Sequence, residues 1–597
     1  MLQTSSPATP ACPAWPAVPS AAPAADWLDP AVHAALARAS ASLSGASALL
    51  GGADWALHLA ASPGKQLDLW RLAWTQAAEL AAYAAATLQQ RAGLAPACVE
   101  PPAQDRRFAD PAWQQWPYSV MHQSFLLAER WWSAATQGVW GVEPHHERQV
   151  AFAARQWLDM ASPGNALATN PVALARTAEE GGLNLLRGWA NLQDDWRRTL
   201  RGEPPAGSEE YAVGRRVAVT PGEVVLRNRL IELIQYRPTT ARVHPEPILI
   251  VPAWIMKYYI LDLMPQDSLV RYLVDHGHTV FCLSWKNVGA DDRDLGMDDY
   301  LDLGFRAALA AVRSIVPQQP VHAAGYCLGG TLLAIGAAAL ARDGDERLAS
   351  MTLFAAQTDF TEPGELGLFI DEAQVSLLEA QMAETGVLAS NQMAGAFQML
   401  RSYDLLWSRL VGEALLGERP RMNDLMAWNA DATRLPARMH SEYLRRLFLH
   451  NDLAEGRYPV DGRALTLQDL RLPVFVVGTE ADHVAPWRSV HKLHHLCAAE
   501  LTFALGSGGH NVGIVNPPGA VAGSAHIHYR IATRAADGVS LAPDDWLAQA
   551  TDRPGSWWPA WQAWLAARSG APVAPPAPGS AAYPVLAPAP GSYVLER

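Results

Sequence analysis

Two regimes of hydrophobic patterning divide the chain near residue 205. From about residue 26 to 205, apolar positions recur three or four residues apart. "DLWRLAWTQAAELAAYAAATLQQRA" (68–92) holds no Gly or Pro and reads as one long helix. "QSFLLAERWWSAATQGVW" and "HHERQVAFAARQWLDMAS" keep the same spacing, and "NPVALARTAEEGGLNLLRGWANLQDDWRR" predicts a helix pair. No strand-like run or internal repeat interrupts them. An all-helical domain over 26–205 is expected. Beyond it the apolar runs become short, continuous and β-branched: 246–254, 278–285, 320–327, 348–356, 472–480 and 499–505. Helical segments separate most of them. Such runs predict an α/β domain over 206–568, with a mostly parallel sheet covered on both faces. About 115 residues separate the fourth run from the fifth, far more than a compact connection needs. That stretch is rich in Leu and Met, and predicts an inserted cap at about 357–460. The two ends are Pro/Ala-rich. Residues 1–25 predict a disordered leader, and 569–597 a linker-like extension.

Composition narrows the function. The chain has 597 residues, 50% hydrophobic, and a formal net charge of −13. A chain so acidic has no general attraction for nucleic acid. Its five cysteines (Cys12, Cys98, Cys282, Cys327, Cys497) are scattered and odd in number. That excludes a disulfide framework, and no C-x-x-C pair suggests a metal. The first residues lack a basic n-region and an apolar h-region, and no apolar stretch reaches the ~18–20 residues that span a bilayer. A cytoplasmic protein is expected. The 23 tryptophans are first expected in the core, and second on a surface that meets something apolar. His322, within a strand, reads as structural; His491, His494 and His495 read as surface residues of a helix.

The chemistry centres on "AAGYCLGGTLLA" (323–334). A strand that ends in Gly-x-nucleophile-x-Gly-Gly and opens into a helix forces a sharp turn. The nucleophile, Cys327, is thrust out, and the Leu328 N–H faces an oxyanion hole. A helix N-terminus also favours thiolate. A thiol nucleophile needs a base, and the base an orienting acid. "VFVVGTEADHVAPW" puts Asp482 just beyond one strand, with Glu480 as the alternative acid. "LTFALGSGGHNVG" puts His510 beyond the next. Nucleophile, acid, histidine is the chain order of an α/β-hydrolase fold. The second oxyanion donor is expected from the loop after "ILIVP", at Ala253, Trp254 or Ile255, with Trp254 preferred. Tyr326, Ile255 and Trp428 are candidate substrate-binding residues.

"GYCLGG", "VPAWIMKYYILDL" (251–263), "SWKNVGADDRDLGMDDY" (284–300), "AWNADATRLP" (427–436), "EADHVAPW" (480–487) and "SGGHNVGIVNPP" (507–518) together resemble the polyhydroxyalkanoate synthases. Length and layout resemble class I of that family, and the resemblance runs over roughly residues 60–597. Ala253 and Met256 depart from the family's Pro and Asn. The resemblance implies polymerisation of (R)-3-hydroxyacyl-CoA, with short acyl groups such as 3-hydroxybutyryl, to a polyester with release of CoA. Cys327 would carry the acyl chain and His510 would be its base. Asp482 would orient His510 or activate the incoming hydroxyl. No cofactor or metal is implied, since CoA is the leaving group. A homodimer is implied, seated on polyester granules with granule-associated proteins and the growing chain as partners. Two rivals remain at this point. One is a cysteine-type hydrolase acting as polyester depolymerase or lactone hydrolase. The other is a non-catalytic granule coat.

Overall fold

The computed structural model describes residues 24–89, 97–101, 105–393, 395, 406–519 and 527–597. Most of the expected leader lies outside them. Among the described residues seven α-helices build the N-terminal half: α1 (Ala24–Ala39), α2 (Gly45–Ala60), α3 (Pro63–Leu88), α4 (Tyr118–Thr136), α5 (Pro144–Met160), α6 (Pro171–Glu179) and α7 (Leu183–Arg201). Local sequence sets several of their ends. Glu143 and Asn170 cap α5 and α6 by accepting from N–H groups of the first turn, each followed by proline at the first helical position. Gly202, at φ 64°, closes α7 in the left-handed conformation that favours glycine. This half rests on the cap. Gln374 Oε1 accepts from the Ser44 N–H at 2.8 Å, and Phe152 meets Phe369 edge-on at 5.5 Å. At Gly188 of α7 a Cβ would lie 2.0 Å from the Ala414 carbonyl oxygen, so only glycine allows that approach.

An eleven-stranded sheet forms the second half: β1 (Gly222–Arg227), β2 (Ile231–Tyr236), β3 (Ile248–Val251), β4 (Val280–Trp285), β5 (Val321–Tyr326), β6 (Leu348–Phe354), β7 (Val474–Thr479), β8 (Leu501–Gly506), β9 (His528–Arg534), β10 (Thr551–Pro554) and β11 (Ala587–Pro588). Their spatial order is β10-β9-β8-β7-β6-β5-β3-β4-β2-β1-β11. The six expected strands are β3 to β8, the contiguous parallel centre. The additions are antiparallel flanks. The centre is buried on both faces and reads as apolar runs. The flanks carry charge within the strand: Glu223 and Glu232 in β1 and β2, Arg530 and Arg534 in β9. Glu232 is fully buried and is satisfied by Arg227, Ser592 and Tyr593.

Helix α8 (Leu328–Arg342) packs its apolar side chains on one face of the sheet. On the other, Trp557 joins Trp558, Trp561 and Trp564 of α10 (Trp558–Ala566). The cap lies between β6 and β7 and includes α9 (Glu372–Thr385). Tryptophan usage splits by domain. The sheet domain buries Trp254, Trp285, Trp428, Trp546 and the α10 group. The exposed tryptophans among the described residues, from Trp70 to Trp196, all belong to the helical half. Two expectations need correction. His491 and His494 are not surface residues: both are buried, stacked on each other at 4.3 Å and edge-on to Phe503 at 5.0 and 6.1 Å. The two short helices carrying them, Trp487–His491 and Leu493–Leu496, lie on the sheet, so their apolar environment takes in the histidines as well. The 569–597 extension is not loose, because β11 pairs with β1 and the residues after it are bonded to Glu232. No described helix is long and apolar enough to cross a membrane.

Candidate active site

Strand β5 delivers Cys327 to its turn at φ 52°, ψ −124°, a backbone conformation costly for a residue with a side chain. Three glycines make the turn possible. A Cβ at Gly325 would sit 2.4 Å from Gly330 Cα, one at Gly330 2.5 Å from Ala356 Cβ, and one at Gly329 2.1 Å from the Val251 carbonyl oxygen. The turn is held by the Cys327 N–H donating to the Phe354 carbonyl at 2.9 Å, and by the Gly330 N–H donating to the Cys327 carbonyl at 2.9 Å. Leu328 opens α8, so its N–H has no acceptor within the helix. It is therefore available to a developing oxyanion.

The loops after β7 and β8 bring the other two groups together. His510 Nδ1 lies 2.8 Å from Asp482 Oδ2. The Asp482 side chain is fully buried. Its Oδ1 accepts from the Val484 and Ala485 N–H groups, each at 2.8 Å, and Oδ2 also accepts from Thr479 Oγ1 at 3.3 Å. Burial raises the Asp482 pKa, but the His510 charge and these hydrogen bonds outweigh it and hold the carboxyl below its usual range. Burial lowers the His510 pKa, yet the Asp482 carboxylate and the Cys327 thiol beside it raise it well above the ordinary value. The thiol is close enough to interact with the ring both by charge and as a hydrogen-bond partner. Asp482 and Cys327 thus both act on His510. Glu480 faces His528 instead, at 3.2 Å, and His322 is buried between Ser350 and Ser569.

The remaining candidates divide. Tyr326 is buried behind the turn, its ring 5.5 Å from that of His510 and its hydroxyl donating to Asn511 Oδ1 at 2.6 Å. Trp428 is buried and donates to the Lys257 carbonyl at 2.7 Å. Trp254 is buried against Trp285 and Tyr300. Ile255 lines a cavity of ≈ 830 Å³ between cap and helical half. Tyr443, Leu444 and Phe448 line its cap side, and Ala37, Trp157 and Met160 its helical side. Burial, and after it the Cys327 sulfur, pushes the Tyr443 pKa well above its ordinary value. Sequence reasoning missed Asn511, Thr433 and Lys257. Each acts through backbone or side-chain contacts made by distant segments, and only Asn511 carried a hint, as the neighbour of His510. Among the described residues no group of His, Cys, Asp or Glu is arranged to hold a metal ion.

Residues 104–273 match the family model described as the poly-beta-hydroxybutyrate polymerase (PhaC) N-terminus, residues 23–65 the poly-beta-hydroxybutyrate polymerase N terminal, and residues 246–517 the alpha/beta hydrolase fold. The poly(3-hydroxyalkanoate) polymerase of Methylorubrum extorquens is 42% identical over 500 residues, 83% of this chain and 81% of that one. The poly(3-hydroxyalkanoate) polymerase subunit PhaC of Cupriavidus necator is 39% identical over 506 residues, 83% of this chain and 84% of its own. Poly(3-hydroxyalkanoate) polymerase 2 of Ectopseudomonas oleovorans is 35% identical over 84% of this chain and 88% of its own. With likeness along most of both lengths and a thiol on a hydrolase turn, the chain belongs to the poly(3-hydroxyalkanoate) polymerase family of acyltransferases, built on the α/β-hydrolase fold.

Proposed function

We propose that the chain polymerises (R)-3-hydroxyacyl-CoA, with short acyl groups such as 3-hydroxybutyryl, through a thioester on Cys327. The observation that carries this reading is the thiol on the strained turn beside the His510–Asp482 pair. In acylation, His510 takes the thiol proton and Cys327 sulfur attacks the thioester carbonyl. The carbonyl oxygen gains charge in the oxyanion hole, where the Leu328 N–H and the Trp254 N–H donate. The carbon–sulfur bond to CoA then breaks, and CoA leaves with a proton from His510. A thioester has been exchanged for a thioester, so activation is retained. A serine would give an oxoester, close in energy to the polymer linkage, and the drive for extension would be lost. In elongation a 3-hydroxyl attacks the acyl-enzyme, its proton passes to His510, and the Cys327 thiol is released. Asp482 serves as the orienter of His510 rather than as a second base, because both its oxygens are engaged and its side chain is buried.

Water would hydrolyse the acyl-enzyme, and the cap shields against it. The cavity beside Ile255 and Tyr443 is an apolar space suited to acyl chains. The helical half meets the polyester granule in the cytoplasm, supported by the exposed apolar stripe Leu183, Leu186, Trp189, Trp196 and Leu200 on α7. A homodimer and granule-associated proteins complete this reading. The test is incubation with 3-hydroxybutyryl-CoA. CoA release with insoluble polymer, abolished by Cys327→Ala, is expected. Free acid from added polymer, without polymer synthesis, would establish a hydrolase instead. Equal silence of wild type and Cys327→Ala would leave a non-catalytic coat.

A further inference from the structure

We propose that the tail residues 594–597 and the cap segment 428–433 latch the loop 252–257, and that Lys257 is the positioning residue through which the tail holds the oxyanion hole. The inference rests on the acyl-transfer reading above. The loop follows β3 and abuts the nucleophile turn: a Cβ on Gly329 would lie 2.4 Å from the Pro252 carbonyl oxygen. Four of its carbonyls are taken up by groups from other segments. Trp285 Nε1–H donates to Pro252 O at 2.8 Å, Thr433 Oγ1 to Trp254 O at 2.5 Å, the Thr433 N–H to Ile255 O at 3.2 Å, and Trp428 Nε1–H to Lys257 O at 2.7 Å. The peptide planes before and after the Ala253–Trp254 bond are therefore pinned. In a trans peptide the N–H opposes the C=O. Pinning both neighbours fixes the plane that carries the Trp254 N–H.

Lys257 ties this clamp to the tail. Its ammonium is almost wholly buried and donates to the carbonyls of Val594 at 2.6 Å and Glu596 at 2.5 Å, with Asp431 at 3.3 Å. Three donors meet three acceptors. Asp431 is held in turn by the Tyr259 hydroxyl at 3.0 Å. The tail is anchored upstream, where Ser592 and Tyr593 N–H groups donate to Glu232 and the Tyr593 hydroxyl to the Asn228 carbonyl. A buried ammonium stripped of two of three acceptors must move toward water. The loop would move with it.

The experiment compares the full chain with Lys257→Met, with a deletion of residues 594–597, and with both together. CoA release from 3-hydroxybutyryl-CoA is measured beside iodoacetamide alkylation of Cys327, followed by mass spectrometry of its peptide. Alkylation uses the thiolate but builds no oxyanion, so it reports the fold and the Cys327–His510 pair alone. The expected result is a fall in kcat of about 10-fold or more. KM should stay within about threefold and alkylation within about twofold of wild type. The double variant should be no slower than the slower single one, because both changes break the same Lys257–tail hydrogen bonds. Unchanged kcat in either variant, alkylation falling in step with kcat, or effects that multiply would each overturn the latch. A wild-type chain that releases no CoA would instead overturn the acyl-transfer reading, and is distinguishable because there the variants have nothing to lose.

Discussion

At the scale of single residues, the candidate site is a set of compensated costs. Cys327 accepts an unfavourable φ so that its sulfur stands clear of the sheet. Asp482 is buried as an anion and stays so only because four donors surround its oxygens. Asp482→Asn should therefore leave the outline of the site intact while removing the charge that raises the His510 pKa. CoA release should fall on the order of 10³–10⁴-fold. Its dependence on pH should move to lower values, since His510 would then lose its proton earlier; a kcat/KM profile checks both. Tyr326→Phe removes the hydroxyl that holds Asn511 beside His510. A loss of roughly 1 kcal/mol of stability is expected, with the tyrosine's role in positioning read from a modest fall in kcat at unchanged KM.

At the scale of elements, the strand–turn–helix unit matters more than any side chain it carries. Gly329→Ala would push a methyl into the Val251 and Pro252 carbonyls and part the turn from the oxyanion loop. Activity should fall by more than about 100-fold, with alkylation of Cys327 less affected than CoA release. The unit was legible in sequence because strand, glycine frame and helix are contiguous. The parallel strands were legible for the same reason: each is a local apolar run. The antiparallel flanks were not. The charges of β1 and β2 are satisfied by Arg227, Arg237 and tail residues, and that pairing exists only after folding. Likewise Trp428 was a candidate substrate-binding residue. In the folded chain its indole and Thr433 face the backbone of the oxyanion loop.

At the scale of the whole molecule, burial and exposure set two behaviours. His278, His322, His440, His491 and His494 are buried, and desolvation is the first cause that lowers their pKa values, to between about 3 and about 4. The unfolded chain binds protons at these sites below about pH 6.5 while the folded chain does not. Stability should therefore fall as pH drops from 7 towards 4, by roughly 1–2 kcal/mol per histidine at pH 5. The raised His510 acts in the opposite sense, contributing stability at low pH that is lost as pH rises through its folded pKa. The five outnumber the one. Thermal unfolding between pH 5 and 7 should show the slope, and His494→Leu should reduce it. The exposed stripe on α7 is the proposed contact with polymer. Trp189→Glu with Trp196→Glu should leave CoA release from soluble substrate unchanged but weaken retention on polymer in a sedimentation assay.

Sequence alone determined the helical half, the parallel centre of the sheet, the inserted cap and the chain order nucleophile, acid, histidine. Each of these rests on local periodicity or on a short contiguous frame, and such signals survive without knowledge of neighbours. Tertiary structure decided the rest. It chose Asp482 over Glu480 as the partner of His510, buried His491 and His494, drew the tail across the sheet edge, and aimed Lys257 at carbonyls more than 300 residues away in the chain. Those outcomes depend on which groups are excluded from water together, and segments remote in sequence fix that only once they pack.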